Sequence, residues 1–230
     1  MSWFSKTFSS SIGRKLLVAV TGLFLCSFLV VHLVGNLQLF KGDGGASFNI
    51  YSHFMATNPI IRTMEIVLVL GFVFHIYEAL VLTRRNKSVR TVAYAYNRPQ
   101  DNSNWSSRNM GLLGTVILVF LIIHLYNFFW RARFGEPNMI DIEGTGYDDL
   151  YSVVVQSFHI WWYVLIYVLG QIALGYHLYH GFSSSFHTLG LNHKKYTPAI
   201  QKFGAFFSFV VPAGFAAMPL YFFIKDVILS

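Results

Sequence analysis

Apolar residues along this chain come in long runs rather than at the three-to-four-residue spacing of a helix with one wet face. Five runs reach the roughly 20 residues needed to cross a bilayer as a helix. They predict helices at about 14–38, 60–83, 109–130, 153–182 and 203–228. Turn formers and charges collect between them: KGDGGASFN at 41–49, TRRNKSVR at 83–90, NRPQDNSN at 97–104 and RARFGEPNMIDIEGTGYDD at 131–149. The pattern predicts one all-α membrane domain over residues 1–230, a five-helix bundle with no soluble domain. Residues 1–15 carry Lys6, Arg14 and Lys15 ahead of the first run, as a signal peptide would. That run continues to about residue 40 without a small-residue cleavage site, so it reads as a retained helix.

Composition agrees with the pattern. The chain of 230 residues is 54% hydrophobic and 12% charged, against about 25% charged in an ordinary soluble domain. Its 23 Phe, 13 Tyr and 5 Trp suit packing against flat surfaces and anchoring at headgroup depth. The formal charge of +7 comes with no nucleic-acid-binding module and is explained by the loops. The N-terminus, the 84–108 loop and the 183–202 loop carry Lys6, Arg14, Lys15, Arg84, Arg85, Lys87, Arg90, Arg98, Arg108, Lys194, Lys195 and Lys202, which is 12 of the 17 basic residues. The opposite loops carry five, and the 131–149 loop holds Glu136, Asp141, Glu143, Asp148 and Asp149. The positive-inside rule then puts the N-terminus inside and the C-terminus outside. The single Cys26, inside an apolar run, excludes an internal disulfide or a cysteine-held iron–sulfur cluster and reads as a small core residue.

The polar residues inside the runs are where chemistry is expected, because an ionisable group in hydrocarbon is expensive unless something holds it. His32, His75, His124 and His177 lie within the first four helices, and the fifth has none. Each alone reads first as a helix-packing residue. Depth changes that reading. At about 1.5 Å of rise per residue, His32 lies roughly 25 Å from Lys15 and His124 roughly 24 Å from Arg108, which makes them level towards the outside. His75 lies roughly 14 Å from Arg84, and His177 roughly 15 Å from the inner end of a helix reaching His187, level towards the inside. Two level pairs, each from two helices, suit two stacked haems with one axial nitrogen on each face. Zinc needs three or four ligands converging at one depth. Gly22, Gly35, Gly71, Gly111, Gly114, Gly170, Gly175 and Gly181 offer clearance for a macrocycle, though glycine also serves ordinary membrane packing.

The runs TGLFLCSFLVVHLVGN (21–36), FNIYSHFMATNPIIRTMEIVLVLGFVFHIYEALVLTRRN (48–86), IIHLYNF (122–128) and YHLYHGF (176–182) resemble the di-haem cytochrome b membrane anchor of succinate:quinone and fumarate:quinone oxidoreductases, in its single-chain five-helix form. The resemblance covers four helices and most of their loops, and the fifth helix matches by position only. It implies two b haems, with His32 and His124 on the outer one and His75 and His177 on the inner one. His180 is a rival in the fourth helix, but the family's spacing from ligand to glycine fits His177 and Gly181. The resemblance further implies a flavoprotein and an iron–sulfur subunit docked on the basic inner face, a quinone, expected to be menaquinone, and the bacterial cytoplasmic membrane. Electrons would pass between the iron–sulfur partner, the haems and the quinone, with no succinate chemistry on this chain. Some fumarate-reducing relatives carry a glutamate two residues before the fourth ligand as part of a proton route; Gly175 stands there, which puts that route in doubt. The rival readings are a haem b anchor of a hydrogenase or formate dehydrogenase, and a proton-coupled transporter using buried histidines.

A quinone needs a flat slot, polar groups for its carbonyls and a proton-exchanging group. Asn36, Asn49, His53 and Glu65, with Phe40, Phe48 and Phe54, form the expected outer pocket; an inner pocket beside Ser11 and Arg14 is the alternative. Glu65 reads equally as a partner of Arg62, and Glu78, three residues from His75, as a buried partner or an inner-rim residue. His187 and His193 read as solvated or partner-facing. His159, with Trp161 and Trp162, reads as part of an aromatic belt.

Overall fold

Ser10 opens the first helix: its hydroxyl accepts from the Gly13 amide at 3.0 Å, satisfying one of the free N–H groups at a helix start. The structure, a computed structural model, describes residues 10–88 and 103–229, with the side chain of Lys87 left out. Of the basic residues counted above, Lys6, Arg90 and Arg98 lie outside the described residues. Helix α1 runs Ser11–Asn36 and tightens into a 3-10 turn at Leu37–Phe40. The sequence KGDGG then turns the chain, with Gly42, Gly44 and Gly45 all at positive φ. Gly45 is the position that admits no other residue: a Cβ there would lie 2.2 Å from the Tyr151 ring.

The stretch expected to be a plain loop instead holds helix α2, Ala46–Thr57. Asn58 ends it in an extended conformation, as a residue before proline prefers, and its side chain caps α3 (Pro59–Ser88) by accepting from the Ile60 and Ile61 amides. Proline at the first helical position costs no hydrogen bond there. Helix α4, Met110–His124, passes directly into a π-helical turn at Leu125–Trp130 and a last α turn at Arg131–Phe134.

The 131–149 loop is also more ordered than expected. Strands β1 (Met139–Ile142) and β2 (Thr145–Asp148) form an antiparallel hairpin pairing Met139 with Asp148 and Ile142 with Thr145. Its two-residue turn, Glu143–Gly144, has positive φ at both positions, the geometry that matches strand twist. Asp149 then caps α5, Leu150–Phe158.

The expected fourth helix, 153–182, is two helices. α5 meets α6 (Trp161–Thr188) at a 95° bend. No proline or glycine marks the break; Ile160 takes an extended conformation there. α5 buries Val154, Ser157 and Phe158, so it lies across the end of the bundle while α6 runs through it. Helix α7, Thr197–Phe223, continues as a π turn to Ile228 and contains Pro212 and Pro219. Pro212 cannot donate to the carbonyl four residues back, and a Cβ on Gly175 would sit 3.1 Å from that carbonyl, Ser208 O.

Among the described residues four stretches are long and apolar enough to cross a membrane: Ser11–Phe40, Pro59–Asn86, Met110–Phe134 and Thr197–Ile228. The α5–α6 pair makes a fifth if counted as one span. α6 is central, packed on α1, α4 and α7, while α3 packs on α1. Large apolar side chains face outward along the bundle: Ile66 is 64% exposed and Phe209 75%. Such a surface suits lipid, where backbone polar groups must find their partners within helices.

Candidate functional site

The histidine rings that meet are those the depth arithmetic makes level. His32 of α1 and His124, the last residue of α4, have ring centres 5.8 Å apart and planes 85° apart. His75 of α3 and His177 of α6 have centres 6.3 Å apart and planes 73° apart. An imidazole nitrogen sits about 2 Å from a metal it holds and roughly 1 Å from its own ring centre, so two rings on opposite sides of one ion have centres about 6 Å apart. Both pairs have that spacing. Among the described residues no group of three or more His, Cys, Asp or Glu side chains converges; the histidines meet in twos. The levels can be measured along α1, where Gly22 faces His75. From Gly22 to His32 is roughly 15 Å of helix rise. α6 repeats the interval between Tyr167, which touches His124, and His177.

A metal-holding histidine usually commits its second nitrogen to the protein, which fixes its tautomer. His124 Nδ1 lies 3.1 Å from the Tyr167 hydroxyl, and His75 Nδ1 3.1 Å from Thr21 Oγ1. Asn36 donates to the His32 carbonyl at 2.7 Å and lies 3.4 Å from His32 Nδ1. His177 Nδ1 is buried without a protein partner. His180, one turn beyond His177, belongs to neither ring pair.

The expected clearance glycines divide. A Cβ on Gly22 would come 3.2 Å from the His75 ring, and Gly114 faces open space. Gly35, Gly71 and Gly170 are filled by Tyr51, Phe24 and Phe120, and Gly175 by the α7 backbone. Gly111 and Gly181 have only Thr83 and Met110 near 4 Å.

The two membrane carboxylates are both paired. Glu78 Oε2 receives Arg14 Nη1 at 2.6 Å, with both side chains largely buried, which resolves the choice left open for Glu78. Glu65 pairs with Arg62 on its own helix and with Arg133 at 3.2 Å across the bundle.

Of the expected outer pocket, His53 is exposed on α2 with its ring against Tyr147 of the hairpin, centres 5.2 Å apart. Asn49 is completely buried; its amide donates to Asp149 Oδ1 at 3.1 Å and accepts from the Tyr151 amide at 2.9 Å. It ties α2 to the start of α5, and both ends of its amide are committed there. His159 lies at the α5–α6 bend, 3.4 Å from Asp226, beside the exposed Trp161 and Trp162. His193 accepts from the Lys195 amide in the turn before α7.

Sequence reasoning passed over Tyr163, Tyr167 and Thr21. The signal was present: two tyrosines four apart share one face of a helix, and a hydroxyl inside an apolar span needs a partner.

The fold defines an α-helical protein with four or five apolar helices able to cross a membrane, enclosing two histidine pairs at two depths. Comparison with protein-family models, with curated proteins and with solved structures finds no match in any of the three.

Proposed function

We propose that this chain is the membrane anchor and electron-transfer subunit of a succinate:quinone or quinol:fumarate oxidoreductase, holding two b haems and reacting with a membrane quinone, expected to be menaquinone. The observation that carries the reading is the pair of inter-helix histidine couples, 5.8 and 6.3 Å between ring centres, at two levels. Imidazole on both faces is a donor set that b haem accepts, and the ring spacing leaves room for one iron at each level.

When bound, the two haems supply one-electron steps between an iron–sulfur partner and the quinone. The chain's own residues do the rest. His32 and His124 hold the level nearer the hairpin, and His75 and His177 the level nearer the basic end. The α4 π turn begins at the residue after His124; such turns re-aim side chains and recur at functional sites. Exposed Arg84, Arg85, Lys194 and Lys195 at the basic end offer a surface to the iron–sulfur and flavoprotein subunits, on which succinate chemistry would reside. His53, exposed beside Tyr147, and Glu65, within the Arg62–Arg133 cluster, are the polar groups for a quinone at the hairpin end, with Asn36 closing α1 nearby. Asn49 acts as a structural tie beside them.

The test is the reduced-minus-oxidised spectrum and haem-to-protein ratio of the purified chain. Two b haems per chain are expected. A haem-free chain that folds would sink the proposal and favour a transporter. Succinate-dependent reduction of the haems in membranes would separate this complex from hydrogenase and formate dehydrogenase anchors.

A further inference from the structure

The four paired histidines differ in what holds their second nitrogen, and His124 has the most developed support. Tyr167 places its hydroxyl 3.1 Å from His124 Nδ1 and 3.2 Å from the Tyr163 hydroxyl. Both tyrosines are only 6% exposed. Phe120 and Phe158 set their edges against the Tyr167 ring at 4.9 and 5.2 Å, so the ring cannot swing away. Beyond Tyr163, on the side of α5, stands a second polar pair. Asn127 donates to Ser157 Oγ at 3.0 Å, and Ser157 donates to the Val153 carbonyl at 2.7 Å. Two hydrogen-bonded groups, His124–Tyr167–Tyr163 and Asn127–Ser157–Val153, thus lie between His124 and α5.

A phenol has one proton to give and lone pairs to accept with. When Tyr167 gives its proton to Tyr163, what faces His124 is a lone pair. His124 then carries its proton on Nδ1 and keeps the Nε2 lone pair available to a metal. We propose that Tyr167, supported by Tyr163, is the positioning residue of His124: it selects the ligating tautomer, fixes the ring's rotation and strengthens the nitrogen donor. The inference rests on the haem reading above. A hydrogen-bond acceptor on Nδ1–H makes the imidazole a better donor, which favours oxidised iron and lowers the potential of the haem at the hairpin-side level.

The experiment uses the full chain with haem bound. Tyr167→Phe keeps the ring and its packing and removes one oxygen. Potentiometric titration is expected to show the hairpin-side haem shifted upward and the other unmoved, with haem content still two per chain. Low-temperature EPR is expected to show changed g values for that haem alone, because its ligand plane is no longer pinned. Tyr163→Phe, which does not touch His124, is expected to give a smaller shift in the same direction, and it decides the matter if Tyr167→Phe fails to assemble. Unchanged potentials and g values in haem-replete Tyr167→Phe, or in haem-replete Tyr163→Phe where the first variant does not assemble, would overturn the inference and leave the haem reading standing. A haem-free wild-type chain would overturn both, and the same spectra report it.

Discussion

The two histidine levels use the same ring in opposite surroundings. At the hairpin-side level the rings sit in a box of aromatics: Phe28 stacks on His32 at 5.2 Å with Phe215 at 5.4 Å, and Phe128 and Phe120 lie 5.4 and 5.8 Å from His124. At the basic-side level the neighbours are small and polar. His75 lies against Gly22 and bonds Thr21, Ser185 is close to Gly22, and the Arg14–Glu78 pair stands one turn away. The first level is held by shape and one phenol file. The second is held by close helix approach and a buried charge pair, so the two should fail to different insults.

Removing a ring is the harshest way to break the comparison. On the proposed haem reading, replacing His32 or His124 with Ala is expected to abolish the hairpin-side haem, and His75→Ala or His177→Ala the basic-side one, with His180→Ala keeping both. Haem quantitation by level checks this, and full content in His177→Ala would dissolve the pairing.

Next is the charge pair. Glu78→Gln leaves Arg14 buried with its Nε already unpartnered, and breaking a buried ion pair costs about 3–5 kcal/mol. A lower thermal midpoint with spectral change at the basic-side haem only is expected. Equal disturbance of both levels would show that the pair serves the bundle and not the site.

Glycine substitutions sharpen the contrast further. A Cβ on Gly170 would lie 2.7 Å from Phe120, which stacks on His124; on Gly22 it would lie 3.2 Å from His75 itself. Overpacking of this kind costs about 1–3 kcal/mol. Gly170→Ala should perturb the hairpin-side haem and Gly22→Ala the basic-side one, read as separate shifts in the low-temperature spectrum.

The smallest effect belongs to the hairpin end outside the spans. Burial pushes the Asp149 carboxyl up, but hydrogen bonds from Ser152 and Asn49 outweigh it and hold the group below its ordinary value. Its folded value is therefore below its unfolded one, so its contribution is complete above about pH 4 and fades as pH falls through the folded value. Asp149→Ala should cost about 1 kcal/mol, as loss of a helix cap does, and should flatten the acid side of a thermal-stability profile.

Much of this was legible in one dimension. The span starts near 60 and 109, the basic and acidic loop faces and the depths of four histidines follow from run lengths, loop charge and helix rise. The helix expected from about 60 begins at Pro59. Helix α2 was hidden because its residues follow a glycine-rich turn and read as loop. The hairpin was hidden because its only strong signal, Glu143–Gly144, lies among other turn formers. The bend before Trp161 has no breaker residue at all; it follows from where α5 finds a surface to lie on.

What the sequence alone determined was therefore periodic and local: which segments are apolar enough to span, which end is basic, and which helices carry a histidine at which height. Helix rise converts residue number into depth without knowledge of any neighbour. Tertiary structure alone decided which rings meet and at what distance, that Glu78 belongs to Arg14 and Asn49 to Asp149, and that a tyrosine far along the chain holds His124. Those contacts join residues 64, 100 and 43 positions apart, and nothing in a run of hydrophobicity encodes the azimuth at which two helices face each other. That angle is set by how glycines, prolines and aromatic rings interlock once the bundle has closed.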